Sequence, residues 1–183
     1  MSRISDWYPR KRQLLNWTVT IGSVLVCLLL LPMRLPGMEL LGITPNWLLI
    51  WVVAWSVKRT AIQGAIAGTV LGLLQDGMTS PHPTHALSLA MIGILTARLQ
   101  KQRYVQEDFI SVALIVFAMV VVAEAITTLQ FSFLTDAAGD WAEVWKSRQP
   151  IALASAIVSS LWAPAVYYPL NRWWGKMKVL ESM

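Results

Sequence analysis

Apolar residues fall into six blocks, over 14–31, 46–57, 61–75, 84–99, 109–134 and 150–170, separated by short polar or turn-rich stretches. A helix that crosses the roughly 30 Å hydrocarbon layer needs about 20 apolar residues at ~1.5 Å per residue. The first, fifth and sixth blocks meet that length, and the other three are shorter. The first contains the run Val24-Leu25-Val26-Cys27-Leu28-Leu29-Leu30-Leu31 and is stopped by Pro32 and Pro36. Pro45 and Asn46 predict the start of the second helix. Asp76-Gly77 and Ser80-Pro81-His82-Pro83 predict a turn-rich loop between the third and fourth blocks. The short segments are expected to be covered by neighbours, kinked, or set in locally thinned bilayer. The stretch 135–149 is amphipathic, with Trp141 and Trp145 four apart, and predicts a short separate helix lying at the headgroup level.

Composition sharpens this pattern into a membrane protein. The chain of 183 residues is 56% hydrophobic and 14% charged, against about 45–50% and about 25% in soluble domains. It also carries 10 tryptophans, a residue favoured at membrane interfaces. The basic residues order themselves around the blocks. With the N-terminus inside, the cytoplasmic parts hold Arg3, Arg10, Lys11, Arg12, Lys58, Arg59, Arg98, Lys101, Arg103, Arg172, Lys176 and Lys178, and the outer loops hold Arg34, Lys146 and Arg148. That asymmetry fits the positive-inside rule. It also accounts for the net charge of +5 without nucleic acid, because no long basic run exists. The expected fold is an all-α integral membrane protein, a single transmembrane domain over 1–183 with six transmembrane helices and both termini cytoplasmic. The first block follows Arg10-Lys11-Arg12 and ends without a small-x-small site, so it is read as an anchor and not a cleaved signal. The single cysteine, Cys27, excludes an intrachain disulfide framework.

Candidate chemistry is sparse. His82 and His85 alone do not close a zinc site, and no HExxH, GxSxG or glycine-rich phosphate loop is present. Ser88 lies one turn from His85 and reads as a helix-start serine. Neither a cofactor, a metal nor an enzymatic activity is expected. Glu124 most needs a role. It sits about 22 Å into the fifth segment, in the outer half of the bilayer, where an ionisable group must be paired, hydrated or protonated. Thr127 and Thr128 extend its polar face. Three readings stay open: a structural hydrogen bond to a Trp N–H or to His85, a contact with another subunit's helix, or a transport or proton-relay group. Gly64, Gly68 and Gly72 line one face of the third segment, where two backbones can approach closely, whether within the chain or with a partner helix. Trp47, Trp51 and Trp55 form a stripe read as a packing and interfacial anchoring surface.

The order of these motifs resembles a known family. Lys58-Arg59-Thr60 is followed by Gly64-Ala65-xx-Gly68-xxx-Gly72-Leu73-Leu74-Gln75-Asp76, a Pro-rich turn, and Thr84-His85-Ala86-Leu87. This resembles the rod shape-determining protein MreD family over residues 45–103, and over the whole chain in length and loop polarity. The Trp-rich second segment and the run from Thr96 to Tyr104 look like the cyanobacterial branch. One departure is His82-Pro83-Thr84, where the family often has Pro-Leu-Gly. The resemblance implies a non-enzymatic inner-membrane scaffold working with the bitopic protein MreC. Through MreC it would act with the MreB filament, a RodA-type glycosyltransferase and a penicillin-binding transpeptidase. It further implies a fold similar to the substrate-binding subunits of energy-coupling-factor vitamin transporters, and places the partner surface on the glycine face and adjoining outer loop. A small-solute uptake subunit is the alternative, with Asp76, His85, Glu124 and Gln130 as the available polar lining.

Overall fold

The computed structural model describes residues 9–33, 37–40, 42–79, 84–101, 109–134 and 141–181. They form six helices: α1 (Pro9–Leu30), α2 (Trp47–Ser56), α3 (Ala61–Thr79), α4 (His85–Lys101), α5 (Phe109–Leu134) and α6 (Trp141–Glu181). The residues 80–83, 102–108 and 135–140 that link the last four helices, His82 among them, lie outside the described set.

Helix α2 is the centre of the bundle. It is apolar all round, as suits a helix enclosed on every side, and Trp47, Leu48, Leu49, Ile50, Trp51, Val52, Val53, Ala54 and Ser56 are all buried. Its ten residues cover only about 15 Å, so its backbone ends need local partners. Asn46 caps its start, with Oδ1 accepting from the Leu49 N–H at 3.1 Å. The Asn46 N–H itself donates to Ser159 Oγ on α6 at 2.9 Å. Helix α3 opens with a reciprocal cap. The Thr60 N–H donates to Gln63 Oε1 at 3.3 Å and the Gln63 N–H to Thr60 Oγ1 at 3.4 Å.

The tryptophan stripe is a core feature. Trp47 and Trp51 are 4% and 3% exposed, which removes them from the expected role of interfacial anchors. Trp47 packs on Trp162, and Trp51 stacks on half-buried Trp55 and meets Trp174 edge to face. Indole buries a large apolar area when its N–H finds an acceptor, and α1 supplies two. Trp51 Nε1 donates to Ser23 Oγ at 2.8 Å, and Trp174 Nε1 to Thr20 Oγ1 at 3.3 Å. These bonds matter because α1 is otherwise thinly held, with Leu14, Trp17, Ile21, Leu25 and Leu29 turned outward. Ser23→Ala should therefore cost about 1 kcal/mol, the usual size of an interhelical hydrogen bond in a membrane protein. The thermal midpoint of the purified protein in detergent should fall, and an unchanged midpoint would show that this bond does not fasten α1.

Two helices exceed their expected limits. Helix α3 runs on through Asp76 and Gly77 to Thr79, where the sequence predicts a turn; Asp76 is engaged by α4, and the Thr79 hydroxyl donates to the Gln75 carbonyl at 2.8 Å. Helix α6 is continuous over 41 residues with Pro150, Pro164 and Pro169 inside it, so the stretch 141–149 is its first part and not a separate interfacial helix. A proline removes one intrahelical hydrogen bond, and neighbouring helices tolerate such breaks in membrane segments. At about 60 Å, α6 is twice the thickness of the hydrocarbon layer.

Candidate functional site

Helices α3 and α4 are the most closely packed pair, and small residues set their register. A Cβ added at Gly64 would overlap the Gly93 carbonyl, and one added at Gly93 would overlap the Gly64 carbonyl. One at Gly68 would strike the Leu89 carbonyl, and one at Gly72 the Cα of Ala86. Positions 64, 68 and 72 thus descend α3 as 93, 89 and 86 ascend α4, in an antiparallel hairpin with its backbones in contact. The glycine face is filled by α4 of the same chain, so it leaves no room for the partner helix that the family resemblance places there. Gly93, the α4 member of this contact, is marked in the sequence only by being the lone glycine of its segment, and is not among the expected contact residues.

Asp76 closes the end of this hairpin. Its carboxylate accepts from the His85 N–H at 3.0 and 3.1 Å and from the Ala86 N–H at 3.0 Å, and His85 Nδ1 lies 2.7 Å from Oδ1. Thr84 Oγ1 is 3.3 Å from the same ring nitrogen. The first amides of a helix lack intrahelical partners and carry the positive end of its dipole. A carboxylate delivered from the neighbouring helix satisfies both needs at once. The runs Gly72-Leu73-Leu74-Gln75-Asp76 and His85-Ala86-Leu87 are therefore two halves of one cap. Ser88 gives its hydroxyl to the His85 carbonyl at 3.0 Å, which makes it a helix-start serine and not a nucleophile.

Glu124 sits at the edge of the buried face of α5, half-buried, and lines a groove of about 280 Å³ between α5 and α6. The groove is bounded by Val121, Thr128, Trp145, Arg148 and Leu153 among others. Glu124 is within electrostatic reach of His85 and of Arg148. The Arg148 guanidinium lies over the Phe131 ring, 4.4 Å from its centroid. Phe131 is about 10 Å along α5 from Glu124, so the two charges stand at different depths. The hydroxyls of Thr127 and Thr128 are spent on their own helix, donating to the Ala123 and Glu124 carbonyls at 3.0 and 2.8 Å.

Of the other expected anchors, Trp145 is exposed at the groove, and the side chain of Trp141 lies outside the described residues. The indole N–H groups of Trp51 and Trp174 go to Ser23 and Thr20, and so do not serve Glu124. From the sequence Arg148 is only a loop charge, because the stretch holding it reads as separate from the sixth helix.

Among the described residues no group of three or more His, Cys, Asp or Glu side chains could hold a metal ion. Also among the described residues, α1, α5 and α6 contain stretches long and apolar enough to cross a membrane. These features define a membrane protein whose described residues form helices, with a few polar side chains joining one helix to another. The chain belongs to the rod shape-determining protein MreD family, whose model matches residues 11–170. No curated protein and no solved structure matches it. The family is one of shape-determining structural membrane proteins and not a known enzyme family.

Proposed function

We propose that the chain is a non-enzymatic scaffold of the cell-elongation machinery, embedded in the bacterial inner membrane by six segments with both ends in the cytoplasm. It binds an MreC-like bitopic protein. Through that protein it helps to organise peptidoglycan synthesis with the MreB filament, a RodA-type glycosyltransferase and a penicillin-binding transpeptidase. Family membership supports the role in rod shape. The observation that carries the scaffold reading is where the polar groups go: Asp76 and His85 cap α4, and Ser23, Thr20 and Ser159 tie α1, α2 and α6 together. Such bonds suit a platform in lipid, and among the described residues they leave no set of groups converging on a reacting atom.

Depletion of the chain from a rod-shaped host should make the cells round, and re-expression should restore the rods. Rods that persist after complete depletion would rule the reading out.

A further inference from the structure

Glu124 is within electrostatic reach of His85 and Arg148, and both act on it at a distance and not as a close ion pair. A carboxylate at lipid depth is costly unless it is paired, hydrated or protonated. Yet it lines a groove between α5 and α6 whose other walls are largely apolar, including Val121, Ala125, Ala152 and Leu153. The Arg148 guanidinium lies over the ring of Phe131, which follows Glu124 by about 10 Å along the α5 axis. The groove therefore carries a negative group at depth and a positive group about two turns above it.

We infer that this groove is the docking site for the membrane helix of a single-span partner. That helix carries a cation or hydrogen-bond donor in the outer half of the bilayer and an anion or acceptor about two turns nearer the surface. Charge complementarity selects this occupant. A lipid chain would leave Glu124 facing hydrocarbon, whereas a helix with side chains about seven residues apart matches both groups at ~1.5 Å per residue. The apolar walls supply the packing that drives helix association in lipid. The inference rests on the scaffold reading and assigns its partner a surface.

The test uses the full chain in cell membranes with p-benzoylphenylalanine placed at Leu153, and at Ile66 on the outward face of α3 as a control. Both positions are exposed. Leu153 should give an adduct with a single-span protein carrying the stated charge pattern, and Ile66 should not. Glu124→Leu should lower the Leu153 adduct about fivefold, the size of one interhelical polar contact in a membrane. It should leave the amount and thermal midpoint of the isolated chain unchanged, whereas a purely structural glutamate would lower both. Arg148→Glu should weaken the adduct as well.

Four outcomes overturn the inference: equal adducts at both positions, an adduct between two copies of this chain, phospholipid adducts alone, or a midpoint that falls with Glu124→Leu. If the bitopic partner still co-purifies in those cases, the scaffold reading stands without this surface. If no partner co-purifies, the scaffold reading itself fails.

Discussion

Gly68→Leu should all but eliminate folded protein from the membrane. Its added side chain would enter the space of the Leu89 carbonyl and the Ala90 amide. These are backbone atoms of α4 and cannot rotate away, so the hairpin must separate along its length. Overpacking a tight core costs about 1–3 kcal/mol when side chains can adjust, and this clash should lie at or beyond the upper end. Gly77→Ala supplies the comparison on the same helix, since nothing lies within 4 Å of its added Cβ. Removing a helical glycine there should be neutral or stabilising by about 0.5–1 kcal/mol. Size-exclusion yield and thermal midpoint in detergent would report both. Equal behaviour of the two variants would contradict the hairpin register.

Asp76→Ala should be the most damaging change among the polar residues. It removes the acceptor for the His85 and Ala86 amides and for the His85 ring together. Bonds to a charged group contribute about 1.5–3 kcal/mol each, and a lost cap about 0.5–2 kcal/mol. Because these terms overlap, a total near ~3 kcal/mol is expected. Asp76→Asn keeps one acceptor oxygen and should lose less. His85→Ala should lose least, because the backbone amides of positions 85 and 86 still reach Asp76. The three midpoints should fall in that order, and a midpoint for Asp76→Ala at or above that of His85→Ala would refute the cap.

Much of the architecture was legible because hydrophobic runs and helix caps are local signals. The six apolar blocks correspond to six helices, and Asn46 starts α2 through a bond to the amide three residues on. What stayed hidden depends on distant residues. A stripe of small residues has the same appearance whether its partner is α4 or another chain, and the close approach of Ala86, Leu89 and Gly93 decides. An indole suits both an interface and a core that offers its N–H an acceptor, and Ser23 lies 28 residues from Trp51. The proline at position 150 resembles a boundary because it costs one hydrogen bond, but that local loss does not end α6. Splitting the helix there also conceals the approach of Arg148 to the Glu124 groove.

In the proposed function the chain is a platform for a bitopic partner. Co-purification of the intact chain with an MreC-like protein, after extraction in mild detergent and separation by size, tests it most directly. A stable complex of the two proteins that survives gel filtration and contains no ATPase subunits is expected. Recovery instead with ATPase subunits or a tightly held vitamin-sized solute would contradict it and favour an uptake subunit.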